Sequence, residues 1–207
     1  MRSDMETARI SIFPLAGGIL FPGLQLPLHI FEKRYRALVT DALARDRLIG
    51  MVQPQGPGEG APLFEIGCLG RIGEVEALDD GRFNIVLEGV SRFRIMRELS
   101  VQTEFRQVEA RLLDNGASDS LMPAERAAFE SEAQAFAEMQ GYAVEWEEVS
   151  RLDDETLING VAQVAPFDGA AKQALLEADG IRERCDLLIQ LMQFYAFRGD
   201  EDSATMQ

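Results

Sequence analysis

Gly73-Glu74-Val75-Glu76-Ala77-Leu78, Asp79-Asp80-Gly81, Arg82-Phe83-Asn84-Ile85-Val86-Leu87 is a strand, a tight turn and a returning strand. Asp and Gly tolerate the positive φ that a tight hairpin demands, so this stretch predicts a β-hairpin. Working outward, the chain after Glu88-Gly89 is expected to turn into a further strand, Ser91-Arg92-Phe93-Arg94-Ile95-Met96. Val101 to Leu113 then reads as a longer strand with Phe105, Val108 and Leu112 on its buried face. Upstream, Arg9-Ile10-Ser11-Ile12 alternates polar and apolar as a half-buried strand does, and Leu48 to Val52 is an apolar run of strand length. Pro14, Gly17-Gly18, Pro22-Gly23 and Pro27 divide the first thirty residues into short extended pieces, and Gln53 to Pro62 is a Pro/Gly-rich surface loop. One helix is expected after Pro27, where Ile30, Phe31, Tyr35, Leu38 and Val39 make a single apolar stripe. Short strands without regular intervening helices point to a closed or partly closed β-barrel over residues 8–113.

The second half reads as helices. Pro123 suits the first turn of a helix reaching about Gln140, with Phe129, Ala133 and Phe136 on its stripe and Gly141 as the stop. A second helix takes Asp153 or Asp154 as N-cap, carries Leu157, Ile158, Val161 and Val164 inward, and ends before Pro166. A third, capped by Asp168, closes at Gly180; a fourth runs from Ile181 to about Arg198 with Cys185, Leu188, Ile189 and Met192 on one side. The fold class expected is therefore α+β, a β-barrel over 8–113 followed by a helical bundle over 120–198. The junction is placed near Asp114 to Ser120, and 199–207 is expected to be a disordered acidic tail.

At 207 residues, 46% hydrophobic and 27% charged, the chain has ordinary globular composition. It holds no apolar run of membrane-span length, and Met1 to Glu6 lacks the core of a signal peptide, so a cytoplasmic location with no membrane is expected. Cys68 and Cys185 stand far apart without Cys-x-x-Cys spacing; neither disulfide nor zinc site follows, and both read as small buried hydrophobes. Charge is uneven: residues 1–113 carry 14 Lys+Arg against 15 Asp+Glu, while residues 114–207 carry 6 against 20. A field of that sign repels phosphate backbones, so no nucleic acid partner is expected; the acidic surface reads as a solvated, soluble face, its alternative reading being a surface that favours basic partners.

Several phrases resemble, in order and spacing, the amino-terminal domain of the Lon protease family. They are Ile12 to Leu15, Phe21-Pro22-Gly23, Ile30-Phe31-Glu32 with Arg34-Tyr35-Arg36, Asp80-Gly81-Arg82-Phe83, Glu88 to Arg94, and Lys172 to Glu177 with Arg184, spanning roughly residues 8 to 198. The resemblance implies a PUA-like barrel before the helical bundle and a role in recognising polypeptide substrates for proteolysis. Stand-alone versions commonly have proline where this chain has Lys33.

Chemistry of its own is not foreseen. There is no Gly-x-x-x-x-Gly-Lys-Ser/Thr loop to cradle ATP, and the only lysines are Lys33 and Lys172; the latter sits in a phrase of the non-catalytic domain, so the Ser-Lys dyad that the resemblance would associate with the peptidase is not expected here. His29, the single histidine, reads as a hydrogen-bonded junction residue, and Glu145, Glu147 and Glu148 around Trp146 as solvated carboxylates. No cofactor and no metal site is expected. Arg92, Arg94 and Arg97 form the densest basic cluster, its foreseen use being pairing with the acidic helical half. A polypeptide client or protein partner is expected; Phe21, Leu24, Leu26, Phe31 and Tyr35, in a segment too punctuated to bury every side chain, are the candidate docking residues, the other reading being that this segment packs over the end of the barrel. An RNA-binding module and a small-ligand or hydrolytic pocket remain open alternatives.

Overall fold

The computed structural model describes residues 7–113 and 120–204, the last seven of these by their helical backbone. Except for Ser120, the expected junction lies outside the described residues, as do residues 205–207 of the expected tail. The fold is mixed α+β, a six-stranded sheet and six helices, and the chain divides into two compact units, 1–115 and 116–207.

The first unit comprises β1 (Thr7–Pro14), β2 (Gln25–Ile30), α1 (Lys33–Leu43), β3 (Leu48–Val52), β4 (Ile66–Ala77), β5 (Phe83–Glu98) and β6 (Gln107–Leu112). The strand order is β2-β5-β4-β3-β1-β6, and β6 also pairs with β5, so five strands close into a ring with β2 added along β5. Only β1 and β3 run parallel. Inward residues alternate along the strands as the pleat requires: Ile10 and Ile12, Val52, Leu69, Phe93, Val108 and Ala110 form one buried cluster. Helix α1 buries Tyr35, Leu38, Val39 and Ala42, with the Tyr35 ring 4.0 Å from that of Phe13.

The hairpin is present, with Gly81 at φ 80° and the Leu78 N–H donating to Arg82 O at 2.9 Å. Three expectations are corrected. Helix α1 begins at Lys33 and not directly after Pro27, because Gln25–Ile30 is a strand pairing with β5 through Pro27 opposite Val86. Proline, which cannot donate to a ladder, is tolerated there because β2 lies at the end of the strand order. No turn follows Gly89: β5 continues to Glu98, and the irregularity is a bulge, since Leu69 faces Ser91 and Gly70 faces Gly89, leaving Val90 over. Strand β6 is short, and Leu112 is exposed at its end instead of buried.

Gly89 explains why two distant phrases go together. Its N–H donates to Leu24 O at 2.8 Å and its carbonyl accepts from Gly23 N at 3.0 Å, which lays the Phe21-Pro22-Gly23 turn on β5. A Cβ at position 89 would overlap the Phe21 carbonyl oxygen.

The second unit holds α2 (Pro123–Met139), α3 (Trp146–Val149), α4 (Asp154–Val164), α5 (Gly169–Glu177) and α6 (Ile181–Ala204). Helix α6 packs on α2, α4 and α5, which accounts for its wide apolar stripe. It continues past Arg198 into the stretch expected to be a tail. Asp153 caps α4, accepting from the Thr156 N–H at 2.9 Å and hydroxyl at 2.7 Å; these bonds hold its carboxyl below the usual range. Asp168 caps α5 through Ala171 N at 2.8 Å and is held by the Tyr195 hydroxyl at 2.9 Å. The other end of α5 is held from inside: Arg184, 3% exposed, donates to Leu175 O at 2.8 Å, Ala178 O at 3.3 Å and Asn159 Oδ1 of α4 at 2.7 Å.

Two substitutions test these joints. Gly89→Ala is expected to destabilise by about 2 kcal/mol or more, since the added methyl must displace backbone, whereas Gly56→Ala, in open space, is expected to be near neutral. Urea unfolding followed by far-UV circular dichroism checks the pair. Arg184→Met leaves the Leu175, Ala178 and Asn159 oxygens without these donors in a buried site, and a loss of roughly 3 kcal/mol is expected, read from the fluorescence of the single tryptophan, Trp146, in the same unit.

Candidate functional site

The five residues expected to dock a client do not converge on one surface. Phe21 is fully buried beside Leu20 and Ile19 in the core, and Tyr35 is buried against Phe13 with its hydroxyl donating to Pro14 O at 3.2 Å. Leu24 and Leu26 are half-buried; Leu26 shares its strand face with Leu28 and the fully buried Ile30. Phe31, 62% exposed, is the only open member, stacked on the outward-facing His29 at 6.2 Å. Of the set only Leu26 lies in β2; Phe21 and Leu24 precede that strand, Phe31 follows it and Tyr35 belongs to α1, so no one element presents them together.

His29 is a satisfied link in a chain of side chains. Arg82 Nη1 lies 3.3 Å from His29 Nε2, His29 Nδ1 is 2.7 Å from Asn84 Oδ1, and Asn84 Nδ2 donates to Glu76 at 2.7 Å. Since the Asn84 amide nitrogen faces the carboxylate, its oxygen accepts, which assigns the proton to Nδ1 and leaves Nε2 to accept from Arg82. His29, Asn84 and Glu76 border an open depression of about 490 Å³ along β2, β4 and β5. A second hollow, about 310 Å³, surrounds Tyr35 and is crossed by ion pairs, Arg34 to Glu32 at 2.8 Å and to Glu59 at 2.7 Å, with Arg106 bidentate on Glu98.

Two of the three clustered arginines pair within their own unit and not with the helical half foreseen for them. Arg94 reaches Glu65 at 3.0 Å, Arg97 reaches Glu109 at 2.6 Å, and Arg92 is buried. Both cysteines are buried, and burial, followed by the nearby carboxylates, raises the Cys185 thiol to about 11, the wrong direction for a nucleophile. Among the described residues no three His, Cys, Asp or Glu side chains are grouped to hold a metal, and no helix is long and apolar enough to cross a membrane.

The cavity of different character lies inside the helical unit. About 290 Å³ in volume, it is walled by Phe136 of α2, Tyr142 and Val144 after it, Trp146 and Val149 of α3, Leu152, and Val161 and Val164 of α4, with Met192 of α6 also lining it. Sequence reasoning assigned Val161 and Val164 to the buried stripe of α4. In the structure Leu157, Ile158, Asn159 and Ala162 are the buried residues, while Val161 is half-buried and Val164 is 75% exposed, so both valines are wall. Gly160 completes that wall, and a Cβ there would meet nothing within 4 Å. Thr156 is the one lining residue of α4 with a side-chain hydroxyl, and that hydroxyl is spent on Asp153. The signal available in the sequence was the run Tyr142, Val144, Trp146, Val149, Leu152: apolar side chains too irregularly spaced for one helix face and interleaved with carboxylates.

Such a site offers apolar area and almost no polar direction, which suits contact with apolar side chains more than orientation of a reacting group. Known proteins agree on the frame around it. The Lon protease 2 of Myxococcus xanthus is 25% identical over 194 residues, covering 88% of this chain and 23% of that protein. The chain spans a quarter or less of the length of the curated relatives it matches. Two solved structures share the fold: a Lon N-terminal domain protein from Xanthomonas campestris (TM-score 0.68, 22% identity, 88% of this chain and 98% of that one) and the N-terminal domain of Mycobacterium avium complex Lon protease (TM-score 0.70, 20% identity, 90% and 98%). The model of the ATP-dependent protease La (LON) substrate-binding domain matches residues 9–193, so the chain belongs to that domain family.

Proposed function

We propose that this chain is a polypeptide-binding module, without catalytic chemistry of its own, that holds apolar segments of protein clients. The observation that carries the reading is the apolar cavity of the helical unit, whose aromatic and aliphatic walls reach solvent through Tyr142, Leu152 and Val164. Family membership supports it, since the matched region is the substrate-binding domain of proteins whose remaining three quarters or more this chain does not align with. The closed ring of strands supports a PUA-like barrel as the label for the first unit, and the packing of α2, α4 and α5 on α6 supports a helical bundle as that for the second.

Affinity of this kind comes from apolar area at about 25 cal/mol per Å², offset by the ordering of the client, so it is modest. Of the segment first expected to bind, Phe31 is the residue placed to contribute, and it serves as the comparison. Wild-type protein is expected to bind immobilised reduced, carboxymethylated α-lactalbumin, a permanently unfolded chain. Gly160→Leu, which fills the cavity from a position with free space, is expected to abolish that binding while leaving stability equal or about 1 kcal/mol higher, because glycine is a poor helix former. Loss of binding in Phe31→Ser with retention in Gly160→Leu would move the site to the first unit. The same wild-type preparation is expected neither to hydrolyse ATP nor to cleave casein; activity abolished by a point substitution in this chain would overturn the non-catalytic reading.

Charge argues against the RNA alternative. With 20 acidic against 6 basic residues over 114–207, binding to duplex or single-stranded nucleic acid is expected to be undetectable at about 0.15 M salt. Submicromolar binding weakened by Arg94→Ala would reverse this.

A further inference from the structure

The cavity of the helical unit is apolar, yet the chain around it is among the most acidic in the protein. Residues 132–155 contain eight carboxylates and one basic residue, Arg151. Three of those carboxylates have clear internal duties: Asp154 is bound by Arg126 at 2.6 Å, Glu148 by Arg151 at 2.6 Å, and Asp153 is the α4 cap. Glu145 and Glu147 have no ion-pair partner among the described residues. They are also placed by the wall itself. Glu145 stands between the lining residues Val144 and Trp146, and Glu147 follows Trp146. Both are exposed. An apolar hollow is thus edged, along the chain beside Trp146, by a rim of uncompensated negative charge.

Resting on the reading of this cavity as a client site, we propose that its occupant is a polypeptide segment with an apolar anchor flanked by lysine or arginine. The volume, about 290 Å³, lies at the low end of small-molecule sites and holds one or two side chains instead of a cofactor or a whole helix. Anchor burial supplies affinity; the rim selects among anchors. An acidic flank would bring like charges together, and a neutral flank would leave the rim carboxylates as they are, whereas a basic flank neutralises them. The approach of such a segment is also favoured at longer range by the net charge of residues 114–207.

Trp146 is the single tryptophan and lines the cavity, so its fluorescence reports occupancy. Three nine-residue peptides sharing a central Leu-Phe anchor, flanked by lysines, glutamines or glutamates, are titrated into the full chain at about 0.05 M salt. A fourth replaces the anchor of the lysine peptide by Gly-Ser. The lysine-flanked peptide is expected to bind about tenfold more tightly than the glutamine one, with the glutamate and anchorless peptides weaker still. Raising salt to about 0.5 M is expected to bring the lysine and glutamine peptides within about twofold. The double variant Glu145→Gln, Glu147→Gln is expected to erase the preference at low salt while keeping affinity for the glutamine peptide; Gly160→Leu is expected to abolish binding of all. Equal affinities of the three anchored peptides, each lost in Gly160→Leu, would overturn the basic-flank proposal and leave the cavity as the client site. Binding of none, or binding indifferent to Gly160→Leu, would overturn both. Self-association of the wild type that Gly160→Leu abolishes, seen by sedimentation, would make the occupant a second copy and overturn the proposal.

Discussion

The helical unit hangs on a buried guanidinium. Arg184 sits in the second turn of α6 and satisfies the last carbonyls of α5 together with the Asn159 side chain of α4. Helix α5 is nine residues long, below the length at which a helix persists by itself in water, and is secured by α6 at both ends: by Arg184 at its carboxyl end and by Tyr195 through Asp168 at its start. A lysine could not do the same, because one ammonium cannot spread donors over three separate acceptors in a fixed plane. The consequence reaches the cavity. Asn159 is adjacent to Gly160 and within two turns of Val161 and Val164, so the bond that fixes the buried side of α4 also sets the angle at which its opposite side presents the apolar wall.

In the first unit the equivalent constraint is the contact of two backbones at Gly89. Hydrogen bonds in both directions between Gly89 and the Gly23-Leu24 segment hold the Phe21 turn down, and Phe21 in turn fills the core. That is why a phenylalanine in a stretch dense with proline and glycine is buried. Irregular backbone can be as deeply packed as a strand when its polar groups find partners on a neighbouring one.

Local signals carried much of this fold. The Asp-Gly hairpin, the strand Leu48 to Val52, Asp153 and Asp168 as helix caps, and Gly141 as a helix stop all follow from chemistry within a few residues, and each is found where that chemistry places it. What failed depended on partners far away in sequence. Pro27 read as a boundary before a helix because its edge-strand position is visible only once β5 is beside it. Val90 read as a turn because a bulge in one strand is defined by the register of the other. Exposure was misjudged for the same reason: whether Phe21 or Val164 is open is decided by which neighbours cover it, and periodicity along one element says which residues share a face, not whether that face is met. The carboxylates around Trp146, read as merely solvated, acquire a second reading only when the apolar side chains between them are seen to wall a cavity.

At Gly160 helix stability and the open cavity pull in opposite directions. Glycine in a helix interior costs about 1 kcal/mol relative to alanine. Elsewhere in the chain a glycine is demanded by close approach, as at Gly89, but at 160 the space beside the backbone is open and no positive φ is involved. Packing therefore gives no reason for a glycine, and helix propensity gives a reason against one. A side chain there would project into the cavity and take up volume that Phe136, Trp146 and Val161 otherwise leave vacant. The position destabilises α4 slightly and enlarges an apolar hollow, two costs that a purely structural helix would be free to remove and that a binding wall would retain.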